Sequence, residues 1–345
     1  MTQQLQLGVD TFGDVTNDSE GNPLGYGQVL RNLLEQAVLA DGVGLDYIGV
    51  GEHHRKEFSV SAPEVVLAAI AARTENIRFG TGVTVLSSDD PVRVYERFAT
   101  LDGLSGGRAE ITLGRGSFTE SFPLFGFDLT RYQELFEEKL ELFSELRTQQ
   151  PVTWSGATRS SLSDQSVFPR VDNGLLTTWV GVGGSPESVV RTARYGFNLA
   201  LAIIGGEPAR FAPYVDLFHR ALAQFGQPTP MIGVHSPGHI ADTDEQAREE
   251  LWPHHSEMTN RIGRERGWGP MSRESFEHEA DTGSLYVGSP ETVANKIATT
   301  AKTLGLDRFD LKYSNGTLGH DKLMKSIELY GTVVAPRVRE ILAES

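Results

Sequence analysis

The stretch Ile77–Gly116, "IRFGTGVTVLSSDDPVRVYERFATLDGLSGGRAEITLGRG", decides the fold. Its first part, Ile77–Leu86, is rich in apolar and β-branched residues and predicts a strand interrupted by glycines. A helix is predicted after Asp90 and Pro91, and Arg108–Gly116 predicts a second strand. A strand, a helix and a strand in this order predict two parallel strands joined by a crossover helix.

The same alternation continues along the chain. Further strands are predicted at Leu5–Phe12, Asp46–Glu52, Leu176–Gly184, Phe197–Ile204, Pro230–Ala241 and Arg308–Gly316. Eight strand-then-helix units predict an α/β fold, and they favour a closed (β/α)8 TIM barrel over two flavodoxin-like halves. Polar stretches at about 151–173 and 242–284 interrupt the pattern as insertions after strands four and seven. Because no linker separates the units, we expect residues 1–345 to form a single domain.

The composition excludes several classes of function. The chain has 345 residues, a net charge of −15 and no cysteine. The acidic balance argues against a nucleic-acid partner, because phosphate backbones are bound by clustered Lys and Arg. The lack of cysteine excludes disulfides, thiolate nucleophiles and iron–sulfur clusters, and is typical of a reducing compartment. With no signal peptide and no apolar run long enough to span a bilayer, we expect a cytoplasmic protein without a membrane partner.

Candidate site residues lie where the predicted strands end, because barrel enzymes carry their chemistry at that face. The second strand ends in "GVGEHH", Gly49–His54. A metal site built from Glu52, His53 and His54 is disfavoured, since adjacent residues on an extended chain point in opposite directions. Two interpretations stay open: one histidine faces the barrel interior as a base or hydrogen-bond donor, or these polar groups satisfy one another.

Two other strand ends combine glycine with an anion-binding group. Gly80 and Gly82 weaken the third strand unless a flat ligand approaches its backbone, although glycine also serves barrel packing. Arg115 lies between two glycines after the fourth strand, where it could grip a phosphate or form an ordinary surface ion pair.

The sequence "GSPESVV" at Gly184–Val190 returns almost unchanged as "GSPETVA" at Gly288–Ala294. Both copies predict a helix with a serine N-cap and proline at the first helical position. Only the first copy follows a barrel strand directly and has two glycines before its cap. We therefore expect the first copy to cradle an anion at the helix N-terminus and the second to be only a cap.

The remaining histidines and tryptophans are weaker candidates. His235 and His239 flank the end of strand seven and could face the barrel interior. In the second insertion, His254 and His255 are expected to be solvated, and Trp252 and Trp268 could cover an active site.

These residues, taken together and in order, resemble the bacterial luciferase-like flavin monooxygenases. The resemblance rests on Glu52-His53-His54, "GTGVTVLSSDDPVR", "LDGLSGGRAEITLGRG", "GGSPESVV" and "VGSPETVANKI", and it covers almost the whole chain. It implies a luciferase-like barrel that binds FMN at the carboxyl ends of the strands, with no metal.

The resemblance also implies roles for single residues. A non-proline cis peptide that braces the flavin would fall at Gly82–Val83, and the arginine that meets the flavin phosphate maps to Arg115. The phosphate-binding turn maps to Gly183, Gly184 and Ser185, with Ser188 one helical turn further, and the active-site histidine maps to His53. Luciferases have a Glu-Ser pair where this chain has Gly183-Gly184, so we expect backbone amides to replace side-chain ligands here.

The implied activity is a two-component monooxygenase. A separate flavin reductase would supply reduced FMN, and O2 and a small organic substrate would react at the barrel, with His53 assisting proton transfer. The alternatives are an F420-dependent hydride-transfer oxidoreductase of the same fold and a flavin-binding protein without turnover. A homodimer is expected by the same resemblance.

Overall fold

A computed structural model describes residues 4–344. Its strands are β1 Gln6–Thr11, β2 Tyr47–Val50, β3 Arg78–Thr81, β4 Thr84–Val85, β5 Glu110–Gly114, β6 Val152–Trp154, β7 Leu162–Gln165, β8 Thr177–Val182, β9 Asn198–Ala202, β10 Ile232–Ile240, β11 Tyr286–Gly288 and β12 Arg308–Lys312. Its α-helices are α1 Tyr26–Gly42, α2 Pro63–Ala71, α3 Pro91–Ser105, α4 Ser121–Phe125, α5 Tyr132–Arg147, α6 Pro186–Arg194, α7 Ala212–Phe225, α8 Asp244–Arg266, α9 Arg273–Asp281, α10 Pro290–Leu304, α11 His320–Leu329 and α12 Ala335–Ala343.

The main sheet is parallel and closes into a barrel, which confirms the predicted fold. Its strands follow the order β3-β2-β1-β12-β10-β9-β8-β5-β4, and β11 adds to the far end of β10. Closure occurs because β3 and β4 are two parts of one barrel strand, and Thr84 of β4 pairs with Leu113 of β5. Between these parts the peptide bond from Gly82 to Val83 is cis, at the position that the family resemblance implies.

Both predicted insertions are present at the expected places. The first contains an antiparallel hairpin, in which Val152 of β6 pairs with Gln165 of β7. The second contains α8 and α9, and it begins directly after β10. Among the helices within residues 4–344, none combines the length and the apolar composition needed to cross a bilayer.

Charged side chains fill the amino-terminal end of the barrel. Glu110 on β5 accepts hydrogen bonds from Arg78 Nε at 2.5 Å and from Arg308 Nη1 at 2.7 Å. The Arg308 guanidinium lies between the rings of Tyr47 and Trp179, at 4.0 and 3.9 Å from their centroids. Trp179 completes the group by donating its Nε1 hydrogen to Glu110 at 2.8 Å. Within residues 4–344, Glu110, Arg308 and Trp179 are buried and form a charged floor, so we infer that ligands reach the interior from the carboxyl ends of the strands.

Candidate active site

The carboxyl end of the barrel, called the mouth below, has one wall built largely from glycine. A Cβ added to Gly114 would lie 2.4 Å from Val83, and one added to Gly181 would lie 3.0 Å from it. At Gly82 and Gly183, in contrast, an added Cβ would meet nothing within 4 Å. Backbone on this side of the mouth is therefore open to close approach by a flat ligand.

The two histidines of the Glu52-His53-His54 stretch differ in their hydrogen bonding. Glu52 accepts a hydrogen bond from His54 Nε2 at 2.8 Å and another from Val85 N at 2.8 Å. His53 turns the other way, and within residues 4–344 its buried Nδ1 has no hydrogen-bond partner. His54 and Glu52 therefore satisfy each other, whereas a role of His53 as a base or hydrogen-bond donor stays a prediction. In the described part of the chain, no group of three His, Asp or Glu residues is arranged to hold a metal ion.

An aromatic cluster forms the wall next to Gly82. The ring of Phe12 lies 4.5 Å from the ring of His53 and 5.8 Å from that of His235, measured between centroids. Phe58 and Phe118 pack on the other side of His53, at 4.3 and 5.4 Å. Burial lowers the pKa of His53 to about 3, and the positive charge of Lys312 contributes to this shift. His53 is therefore neutral at physiological pH.

Arg115 follows β5, and the turn that starts α6 follows β8, the neighbour of β5 in the barrel. The Arg115 guanidinium stands 5.4 Å from the ring centroid of Tyr132. The positive charge of Arg115 also reaches Glu187, where it helps, after the hydrogen bond from Ser185, to lower the pKa of that carboxyl. Arg115 forms no ion pair within 4 Å and no hydrogen bond in the part of the chain that the structure describes. The sequence-predicted arginine and the predicted turn thus meet at one edge of the mouth.

The turn before α6 has the predicted form. Gly184 adopts φ +109°, and its carbonyl accepts a hydrogen bond from Tyr214 Oη at 2.8 Å. Ser185 is the N-cap, and its Oγ accepts from Ser188 N at 3.3 Å. The Ser185 hydroxyl in turn donates to Glu187 at 2.7 Å. Because Glu187 is exposed, an incoming anion can displace it by a side-chain rotation. Direct ligand contacts of Gly183, Gly184, Ser185 and the buried Ser188 stay predictions.

The second copy of the motif, at the start of α10, is occupied by the chain itself. Asp244 accepts hydrogen bonds from Ser289 N at 2.6 Å and from Thr292 Oγ1 at 2.9 Å. A Cβ on Gly288 would lie 2.6 Å from the same carboxylate. This helix N-terminus already holds a partly buried anion, so the structure agrees with its assignment as a cap.

The second insertion reaches the mouth through charged contacts. Arg55, just after the predicted histidines, pairs with Glu265 near the end of α8 and with Glu120 at 3.0 Å. Its guanidinium also lies 4.4 Å from the ring centroid of Phe118. Arg266 donates to the Ser117 carbonyl at 3.1 Å. These contacts place the end of α8 beside the aromatic cluster.

Several expectations for the insertion and strand seven were wrong. His255 is buried rather than solvated, and burial lowers its pKa to about 4. His254 bonds Thr317 Oγ1 at 2.8 Å. His239 is fully buried and bonds Glu250 at 2.8 Å, so it does not line the mouth. Trp252 packs against Phe276 inside the insertion, whereas Trp268 lies beside Arg266 at the rim.

One hydrogen-bonded pair of side chains inside the mouth was not predicted from the sequence. His235 Nδ1 is hydrogen-bonded to Asp10 Oδ2, and the two residues are 225 positions apart. Each residue stands at an inward-facing position of a predicted strand, which is the only sequence signal that could have suggested them. The alternation of side chains identifies the face but not the partner.

A cavity of about 540 Å³ lies outside the barrel, between α5, α6 and α7. Its wall includes Arg191, Leu217 and Phe225. Arg191 is already paired with Glu137 at the same surface. This cavity lacks the open glycine backbone of the mouth, and the mouth is the better candidate for a flat anionic ligand.

Comparison with known proteins places the chain in one protein family. Residues 11–308 match the family described as luciferase-like monooxygenase. The chain is 28% identical over 342 residues to the 4-hydroxyprotoasukamycin monooxygenase of Streptomyces nodosus subsp. asukaensis. That alignment covers 92% of this chain and 89% of the relative.

Two solved structures show the same fold with different cofactors. The oxygenating constituent of 3,6-diketocamphane monooxygenase from Pseudomonas putida, in complex with FMN, superposes with a TM-score of 0.79 at 17% identity. The alignment covers 97% of this chain and 99% of that one. An F420-dependent secondary alcohol dehydrogenase superposes with a TM-score of 0.73 at 18% identity, with coverage of 97% and 99%. At these identities the likeness concerns the fold alone.

Proposed function

Because the chain belongs to the luciferase-like monooxygenase family, we propose that it is an FMN-dependent, two-component monooxygenase that uses reduced FMN and O2 on a small organic substrate. The observation that carries the choice of cofactor is the position of Arg115 after β5, whose neighbour β8 leads into the N-terminus of α6. A guanidinium and a helix N-terminus, both at the mouth, are complementary to a phosphate monoester.

The residues present fit FMN in three respects. Gly82 and Gly183 leave their backbone open, as a planar ring and its phosphate tail need. Arg115 is available for a phosphate, since no carboxylate within residues 4–344 forms an ion pair with it. The unpartnered Nδ1 of His53 is a polar atom that a ligand can satisfy. We assign Arg115, Gly183, Gly184 and Ser185, with Ser188 behind them, to the phosphate end, and Gly82 and Val83 to the ring.

Reduced FMN, when bound, supplies the two electrons with which O2 oxygenates a substrate and forms water. The chain's own contribution is to bind, orient and exclude water. The aromatic cluster keeps the mouth apolar on one side, which limits access of water to the reacting atoms. His53, being neutral, acts as a hydrogen-bonding group rather than as an imidazolium acid.

The phosphate assignment is tested by comparing FMN with riboflavin, which lacks the phosphate. We expect Arg115→Ala to weaken FMN binding about 10- to 100-fold, because a charge-assisted hydrogen bond contributes about 1.5–3 kcal/mol. Riboflavin binding should stay within about twofold. Glu187→Gln should strengthen FMN binding, since it removes a competing carboxylate at the same turn. Quenching of flavin fluorescence measures each of these affinities.

The matched control is Arg220→Ala, an exposed arginine in the second half of α7 at the other end of the barrel. It should bind FMN as the wild type does. Equal losses of FMN and riboflavin in Arg115→Ala would remove the phosphate role of Arg115. Failure of the wild type to bind oxidised or reduced FMN would refute the proposed function.

A second candidate is F420-dependent hydride transfer, which is favoured by the fold shared with the F420-dependent alcohol dehydrogenase. A longer anionic tail needs more cations around the phosphate turn, and the segment Gly183–Ser188 contains none. Side-by-side titration with F420 and FMN distinguishes the two. We further propose a cytoplasmic homodimer served by a separate flavin reductase, which gel filtration and a reductase-coupled oxygen assay test.

A further inference from the structure

A histidine–carboxylate pair lies inside the mouth, separate from the Glu52-His53-His54 stretch. His235 projects from β10 and Asp10 from β1, and β12 lies between these two strands in the sheet. Their side chains meet across β12, through the hydrogen bond between His235 Nδ1 and Asp10 Oδ2. A carboxylate at Nδ1 fixes that nitrogen as the donor and leaves Nε2 as the working nitrogen.

The ring of His235 is open on its Nε2 side. The His235 side chain is 18% exposed, whereas that of Asp10 is 5% exposed. In the range 4–344, no hydrogen bond from another residue reaches His235 Nε2. One face of the ring stacks on Phe12, with an interplanar angle of 15°. His53 packs against Phe12 as well, so the two histidines are neighbours of the same aromatic ring.

The charged groups around His235 come from three elements. Asp10 faces it from β1, and Asp310 and Lys312 project from β12. His53 stands on the far side of Phe12 and stays neutral. Burial raises the pKa of Asp310 to about 7, so at neutral pH Asp10 is the carboxylate directly bonded to the imidazole. With Nδ1 bonded to Asp10, a proton on Nε2 as well requires the imidazolium form, whose charge is complementary to the Asp10 carboxylate.

We propose that His235 is the proton donor to reduced oxygen at the mouth and that Asp10 is its positioning residue; this inference rests on the proposed function. In the step, the Nε2–H bond breaks, an O–H bond forms on the oxygen that has taken up two electrons, and solvent returns a proton to Nε2. The electrons come from reduced FMN. Without an organic substrate the balance is reduced FMN anion plus O2 plus one proton, giving FMN plus hydrogen peroxide.

The substrate-free reaction provides the test, because it needs no identified substrate. Reduced FMN, bound to an excess of protein, is mixed with oxygenated buffer at a series of pH values, and the return of oxidised flavin is followed at its visible absorbance. His235→Gln should slow reoxidation about 100-fold. We expect the wild-type rate to fall as pH rises, because the donor loses its proton. His235→Gln should abolish this fall.

Asp10→Asn is the second variant, and it should move that fall in rate to lower pH, because the imidazolium loses its carboxylate. A structural role for Asp10 would not shift the pH profile. His219→Gln, an exposed histidine on α7, is the matched control and should behave as the wild type does. Thermal melts and FMN affinity of each variant show that fold and binding are retained.

In addition, ¹⁵N spectra of the histidine rings in the protein alone should show His235 protonated at Nδ1, and that signal should change in Asp10→Asn. An unchanged rate and pH profile in His235→Gln, with FMN still bound, would overturn the inference and leave the proposed function standing. Absence of FMN binding to the wild type would instead remove the proposed function and this inference with it.

Discussion

The charged floor of the barrel gives the sharpest stability prediction, through the replacement Glu110→Gln. Glutamine keeps the size of Glu110 but removes the anion that two guanidinium groups share. Burial alone would raise the pKa of Glu110, but the charges of Arg308 and Arg78 hold it below its ordinary value. The side chains of Glu110 and Arg308 are 1% and 2% exposed, so little water can replace the lost carboxylate.

Breaking a buried pair by removing one partner costs about 3–5 kcal/mol, because the other charge stays buried. The entropy of unfolding is about 2.1 cal/mol/K per residue. For 345 residues, that predicts a fall in Tm of about 4–7 °C. Near-UV circular dichroism during heating measures the fall, and urea unfolding at 25 °C checks the free energy.

The control is Glu291→Gln, which removes the exposed ion pair with Arg337, whose partners are 59% and 36% exposed. Such a pair contributes about 1 kcal/mol at most, so the Tm should move by about 1 °C. Glu110→Leu combined with Arg308→Met should recover only part of the stability lost in Glu110→Gln, since it removes the buried Glu110–Arg308 pair but leaves Arg78 and Asp310 each without a charged partner. If Glu110→Gln and Glu291→Gln had equal effects, the assignment of the floor as a desolvated charge cluster would be wrong.

Two further predictions concern the mouth and acid stability. Gly183→Val should keep the wild-type Tm, because its added atoms meet open space. The same variant should weaken FMN binding at least about tenfold, which fluorescence titration measures. Gly42→Val, at the opposite end of the barrel, is the control. The folded-state pKa values of His53 and His255, about 3 and about 4, lie below the unfolded value of about 6.5, so the unfolded chain binds more protons below that pH. Stability should therefore fall as pH decreases from about 6.5 to 4.5, and replacing His255 by Leu should reduce this loss by about 2 kcal/mol, measured by urea unfolding at both pH values.

The sequence predicted the barrel because its evidence is local. The alternation of strands and helices depends on periodicity within ten to twenty residues, and the strand ends follow from the barrel itself. Arg115 and the Gly183–Ser185 turn could thus be placed at one face without knowledge of a contact. The structure brings them together, with Arg115 close enough for its charge to act on Glu187.

Pairs of distant side chains were beyond sequence reasoning. Asp10 and His235 are 225 positions apart, and Glu110 and Arg308 are 198 positions apart. Side-chain alternation shows that each faces the interior, but the partner depends on the stagger of strands around the barrel. The burial of His255 was missed for a related reason. It lies in an insertion whose packing against the barrel no local pattern describes.

The duplicated motif shows the same limit at close range. Ser185 and Ser289 cap their helices in the same manner, and only the extra glycine before Ser185 separates the two starts locally. Asp244, 45 positions before Ser289, fills one helix start and not the other. The extra glycine before Ser185 separated the two copies in the sequence, and the Asp244 carboxylate gives the physical reason why the second is only a cap. Anion binding by the first copy stays a prediction.

The charged floor of the barrel has a consequence for the order in which ligands bind and leave. Because Glu110, Arg308 and Trp179 fill the amino-terminal end, ligands enter and leave the interior through the mouth. A molecule lying deep against the glycine backbone has to arrive before any second molecule settles above it, and it can depart only afterwards. The fold therefore predicts that the ligand that binds last is released first.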